Sequence, residues 1–191
     1  MTFDVHKFRD DFPIFKDNKL VYLDSASTTQ KPKSVIKSIS NFYENYNANV
    51  HRGTYQIAEL ATQQYELSRE IVASFINATT DEIIFTKNAT EAINLIASTF
   101  GQLHIQKGDE ILITELEHHS NYVPWHYLRQ TKGAIIKFAP INDDGDIIIE
   151  KLKELITSRT KIIAVTHLSN VTGTIVPIKE IVDMARKKNI P

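Results

Sequence analysis

From about residue 83 onward, short β-branched runs alternate with helical stretches of roughly ten residues or more, and this rhythm confines the chain to an α/β fold with a mostly parallel sheet and flanking helices. The runs fall at residues 83–85, 110–114, 134–138 and 161–166. The helical stretches lie near residues 89–100, 121–131, 147–157 and 178–188. The last run contains IIAV, apolar on both faces, as a strand covered by helices on each side requires. Parallel strands joined by helices bring their following loops to the carboxyl edge of the sheet, where α/β proteins hold ligands. The sequence closes on ARKKNIP, a basic helix end followed by Ile190 and Pro191, where a further buried strand is expected.

The N-terminal third is mainly helical. After SASTTQKP, the residues Val35, Ile36, Ile39, Phe42, Tyr43 and Tyr46 recur at helical spacing, with Pro32 where a first turn tolerates it. Ile57, Leu60, Ala61, Leu67, Ile71 and Phe75 predict a second helix ending before Asn77. There is no internal repeat, low-complexity run or Pro/Gly-rich linker, so one continuous unit over residues 1–191 is expected, with residues 1–20 as an N-terminal arm. A net charge of -1 gives no electrostatic footprint for nucleic acid or an anionic membrane. No stretch reaches the roughly 18 apolar residues of a spanning helix, so a cytoplasmic protein is expected, or an organellar one. The absence of cysteine removes disulfides, thiolate metal sites and cysteine nucleophiles from these residues.

Three strand-end loops carry the candidate chemistry. Thr86-Lys87-Asn88-Ala89-Thr90-Glu91 opens a helix, so Asn88 is placed to cap while free N–H groups and the Thr90 hydroxyl form an anion cradle; simple capping explains the same residues. Glu117-His118-His119-Ser120-Asn121 pairs two imidazoles at a strand end, with Trp125 four residues beyond Asn121. Such a ring stacks on an aromatic cofactor and relays protons near neutrality; ordinary hydrogen-bonded histidines, or a metal site, are the alternatives. His167 to Thr174, HLSNVTGT, masses polar groups where apolar ones stop: Asn170 is placed to bond a cofactor hydroxyl, or the loop only builds a turn. Outside this register, the Arg of Val50-His51-Arg52-Gly53 is placed to clamp a carboxylate, or sits in a solvated loop, and Asp24-Ser25-Ala26-Ser27 precedes the first helix.

Together and in order, YLDSASTTQKP, NVHRGTY, ATEAINL, EHHSNYVPW and THLSNVTGT resemble the class V aminotransferase-like group of pyridoxal-phosphate enzymes, and within it the SUF-type, group II cysteine desulfurases, a subgroup that includes selenocysteine lyases. The resemblance implies the PLP-dependent transferase fold, fold type I, with these residues forming the N-terminal part of its large domain and the rest of that domain and the small domain lying beyond them. It implies that Ala89 and Thr90 bind the phosphate of pyridoxal 5'-phosphate, that His118 is catalytic, stacking on the ring and assisting proton transfer, and that Asn170 bonds the ring's 3′ oxygen. Ser25, Ala26, His51 and Arg52 fall near the substrate or a dimer-facing gate. L-cysteine or L-selenocysteine is the implied substrate, a homodimer the implied assembly, and a sulfur-acceptor protein of the SUF system the implied partner in iron–sulfur cluster assembly. Ala89 departs from the threonine common in the family, which keeps a backbone contact and removes a hydroxyl donor.

The family's ring-nitrogen aspartate, Schiff-base lysine, nucleophilic cysteine and carboxylate-binding arginine have no matching positions among these residues, so an inactive N-terminal portion is expected. Its topology also implies that residues 83–85 are orphaned while the next three strands remain mutual neighbours, the fourth with a hydrophobic edge. Two other readings compete: a non-catalytic cofactor- or dimer-binding fragment or pseudo-enzyme, and a metal-dependent hydrolase built on Glu117, His118 and His119.

Overall fold

A computed structural model describes residues 3–16 and 19–191 of the chain, which divides into two compact units, Met1–Ile84 and Phe85–Pro191. The expected N-terminal arm includes residues 1, 2, 17 and 18, which lie outside the described residues.

The first unit holds α1 (Val5–Arg9), α2 (Lys33–Asn45) and α3 (Gln56–Phe75). The side chain of Asp4 caps α1 by accepting the amides of His6 and Lys7, and Pro32 stands at the N-cap of α2, where its missing N–H costs no bond. Both predicted helices are present. Of the six periodic residues expected on α3, however, only Ala61 is buried; Ile71 and Phe75 are exposed. The 3.6-residue repeat specifies the helix, not what covers it. Gly53 permits the entry to α3, since a Cβ there would lie 2.1 Å from the Cβ of Ala58.

The second unit is the α/β part. Its elements are α4 (Ala89–Ile96), a π turn Ala97–Gly101 running into α5 (Gln102–His104), β1 (Glu110–Thr114), α6 (Val123–Lys132), β2 (Ile135–Ala139), α7 (Ile149–Leu155), β3 (Thr160–Ile163) and α8 (Ile178–Arg186). The strands form one parallel sheet in the order β2-β1-β3, with Glu110 opposite Ile135 and Thr114 opposite Ala139. All five residues of β1 are buried, because successive side chains enter different cores. Leu112 joins Leu152, Val176, Ile181 and Ala185 on one face; Ile111 and Ile113 join Trp125, Leu128 and Ala97 on the other. Gly133 ends α6 in the left-handed region at φ 73°, donating its N–H to the Arg129 carbonyl.

Two expected strands differ from the structure. Residues 83–85 are not a strand: Ile83 is extended but donates its N–H to Thr80 and its carbonyl accepts from Arg69. Among the described residues no strand lies beside them, and an extended run becomes a strand only through a ladder. The strand expected over residues 161–166 occupies Thr160–Ile163; Ala164 still donates to the Leu112 carbonyl, but the Thr166 N–H is taken by the side chain of Glu117.

The amino edge of this sheet contains a buried charge. Glu110 is fully buried, with Lys137 and Arg159 at 3.0 and 2.9 Å and the Thr157 and Thr160 hydroxyls at 2.5 and 3.3 Å. Burial works to raise its pKa, but the Thr157 hydroxyl, the Lys137 ammonium and the Arg159 guanidinium outweigh it and hold the carboxyl below the ordinary value. A depressed folded pKa contributes stability that is complete above the unfolded value, about 4.3, and is lost as the pH falls through the folded one. Glu110→Gln is therefore expected to lower the unfolding free energy at neutral pH by about 3 kcal/mol, since it removes the charge that Lys137 and Arg159 face and leaves Lys137 only the Leu155 carbonyl. In urea titrations at several pH values the variant should also lose less stability than the wild type below about pH 4, since Glu66 and Glu82 still contribute there; equal stability and an unchanged acid limb contradict the assignment.

Candidate functional site

The loops after β1 and β3 leave the carboxyl edge of the sheet, and the turn after His118 packs against α4, whose first turn carries the remaining cofactor candidates. At the start of α4, the Asn88 side chain accepts the Glu91 N–H at 2.9 Å, and the Glu91 carboxylate accepts the Lys87 N–H at 2.6 Å. These bonds satisfy the flanks of the helix start and leave the amides of Ala89 and Thr90, with the Thr90 hydroxyl, without a partner among the described residues. The cap is present, and it is compatible with a cradle because it leaves these donors open at the positive end of the helix dipole.

The loop after β1 carries His118. Its Nδ1 accepts the Ser120 N–H at 3.1 Å and faces the Ser120 hydroxyl at 2.9 Å, while His119 stands edge-on with ring centres 6.1 Å apart. An Nδ1 that accepts places the neutral ring's proton on Nε2, and the His118 side chain is exposed. The following turn, His119–Asn121, packs against α4.

The loop after β3 is a tight hairpin in which Leu168 bridges Ile175. Ser169, buried, sets its shape: its hydroxyl accepts the Val171 and Thr172 amides, both at 3.2 Å, and its carbonyl accepts Gly173 at 3.1 Å. Thr172 and Thr174 link the hairpin to the Gly145 carbonyl. Asn170 is exposed at the apex, its side chain unengaged among the described residues.

The Glu117-His118-His119 reading as a metal set meets a different use of Glu117. Its Oε1 accepts from the Thr114 hydroxyl at 2.6 Å and the Thr166 N–H at 3.0 Å, and its Oε2 accepts from Asn121 at 2.7 Å. Both oxygens are committed, and among the described residues no three His, Asp or Glu side chains gather as a metal site. The role of Glu117 escapes the sequence, although residues 117, 121 and 125 are spaced four apart, the separation at which side chains stack along a helical face.

Ser25, Ala26, His51 and Arg52 lie in the first unit. Ser25 and Ala26 occupy an exposed turn held by Tyr22, whose hydroxyl donates to the Asp24 and Thr28 carbonyls. His51 is left-handed at φ 70°, its N–H donating to the Thr62 hydroxyl and its Nε2 lying 2.6 Å from Glu66. The His51 hydrogen bond, helped by Arg69 at 3.0 Å and opposed by partial burial, holds the Glu66 carboxyl below its ordinary range. Glu66 and Ser169 are supporting residues that spacing alone does not reveal.

The donor types fit a phosphate-bearing aromatic cofactor: unpartnered amides and a hydroxyl at a helix start, and an open imidazole and a free carboxamide on the loops after β1 and β3. A "Probable cysteine desulfurase" of Halalkalibacterium halodurans is 46% identical over 187 residues, covering 95% of this chain and 46% of the relative. The solved apo cysteine desulfurase of Thermococcus onnurineus NA1 superimposes with a TM-score of 0.91 at 35% identity, covering 100% of this chain and 46% of that one. The cysteine desulfurase CsdA of Escherichia coli gives 0.84 at 37% identity, with 100% and 48% covered. The chain therefore spans less than half the length of these relatives, and its parallel sheet with flanking helices is that of fold type I. The aminotransferase class-V model, a pyridoxal-phosphate-dependent family, matches residues 21–191, and the chain belongs to that family.

Proposed function

We propose that the chain forms the phosphate- and ring-holding side of a pyridoxal 5'-phosphate site in a SUF-type cysteine desulfurase. The observation that supports this reading is the open donor set at the start of α4, a helix packed against the turn that follows His118, with Asn170 exposed on the loop after β3. The Ala89 and Thr90 amides and the Thr90 hydroxyl would hold the phosphate. His118, oriented by Ser120, would lay its flat face on the ring and move a proton at Nε2. Asn170 would donate to the ring oxygen. When bound, the cofactor supplies an electron-withdrawing ring that stabilises charge at the carbon of an amino-acid substrate.

The names of the relatives support L-cysteine as that substrate; the same chemistry serves L-selenocysteine. Because the chain has no cysteine, the thiol that accepts sulfur is not among its residues. Homodimerisation, a SUF-system sulfur acceptor, a role in iron–sulfur cluster assembly and a cytoplasmic setting belong to the same proposal. No helix among the described residues is long and apolar enough to cross a membrane.

Two outcomes test the reading. The 191-residue chain should bind pyridoxal phosphate reversibly, and Thr90→Ala should weaken binding by about tenfold, the worth of one hydrogen bond to a charged group; an unchanged affinity by absorbance titration removes the cradle from the site. With L-cysteine, the chain should release no sulfide beyond that from free cofactor, and sustained turnover would contradict the assignment of the thiol elsewhere.

A further inference from the structure

We propose that Glu117 is a positioning residue that locks the His118 loop to the Asn170 loop, so that the two grip the cofactor ring as one body, while the phosphate cradle makes none of the locking bonds. The inference rests on the pyridoxal phosphate reading and extends it to a residue that touches no ligand.

The lock is a convergence of donors on one half-buried carboxylate. The Thr114 hydroxyl comes from the end of β1, the Asn121 amide from the turn after His118, and the Thr166 N–H from 49 residues further along the chain, next to His167 in the Asn170 loop. Asn121 is itself fully engaged: its Nδ2 also donates to the Ala164 carbonyl at 3.1 Å, and its Oδ1 accepts the indole N–H of Trp125 at 3.0 Å. An indole can only donate, so it fixes which end of the Asn121 amide faces Glu117. Trp125 is 1% exposed in the core beneath the sheet. A continuous path therefore runs from the core through Trp125, Asn121 and Glu117 to the backbone of the neighbouring loop. Every group facing the carboxylate is a donor, which no neutral amide at position 117 can satisfy. Neither Ala89 nor Thr90 takes part in these bonds.

Purely structural support would weaken the whole site evenly; a positioning role predicts a split between its two ends. The chain, labelled for NMR, is titrated with pyridoxal phosphate and with inorganic phosphate. The ³¹P signal reports the phosphate end, the His118 ring resonances report the ring end, and exchange of the Thr166 N–H reports the lock. In the wild type all three respond as a bound, closed site. In Glu117→Gln the Thr166 N–H should exchange faster, the His118 response to pyridoxal phosphate should be lost, and the dissociation constant should rise about tenfold. Affinity for inorganic phosphate should stay within about twofold, as expected where the lost bonds do not reach the phosphate.

Thr114→Val keeps the shape of the side chain but removes the donor to Glu117 and the acceptor of the Leu116 N–H, and should act in the same direction at about threefold, as the loss of the bond to Glu117 implies. It carries the test if Glu117→Gln does not fold. A preserved His118 response with rapid Thr166 exchange, or equal losses at the phosphate and ring ends, would overturn the proposal. Failure of the wild type to bind pyridoxal phosphate would instead sink the functional reading, and this inference with it.

Discussion

The arrangement depends on burying β1 from both sides. Its side chains alternate between two cores, Leu112 into one and Ile111 and Ile113 into the other, so the strand is central and has no freedom of register. The neighbours inherit that register, Glu110 against Ile135 and Thr114 against Ala139. Once the central strand is fixed, the loop following it is fixed too, and that loop carries His118. It is fastened in both directions: Glu115 accepts the Ile141 N–H after β2, and Glu117 accepts the Thr166 N–H after β3.

The two edges of the sheet spend their polar groups differently. At the amino edge, the buried Glu110 has its charge met by Lys137 and Arg159, an arrangement that contributes to stability and presents nothing to a ligand. At the carboxyl edge, carboxylates and buried hydroxyls are consumed in shaping loops, and the groups left over are those suited to a cofactor. The Ala89 and Thr90 amides, the open face of His118 and the Asn170 carboxamide are free because Asn88, Ser120 and Ser169 have satisfied the backbone around them. Division of labour between supporting and exposed residues is what keeps a site in place without filling it.

Elements governed by local repeats were legible in the sequence. The helical spacing in α2 and α3, the apolar run of β1 and the capping pattern at Asn88 each depend on neighbours within a few residues. What depended on distant partners was not. Residues 83–85 have strand-like composition, yet strand status needs a ladder; Ala164 still bonds to β1, but the Thr166 amide is taken by a carboxylate 49 positions earlier. The same separation explains why Glu117 read as a potential metal ligand: its donors arrive from three parts of the chain. His51 and Glu66 pair only once α3 has folded. Composition and spacing thus picked out the exposed candidate groups, whereas the groups that hold them in place required the fold.

In the proposed site, pyridoxal phosphate is held by its phosphate at the start of α4 and by its ring against His118. A crystal structure of the chain grown with pyridoxal phosphate is the decisive measurement. The phosphate is expected on the Ala89 and Thr90 amides, the His118 ring stacked on the pyridine and the Asn170 side chain on the ring oxygen. A phosphate bound away from the start of α4, or a ring without contact to His118, would contradict this placement.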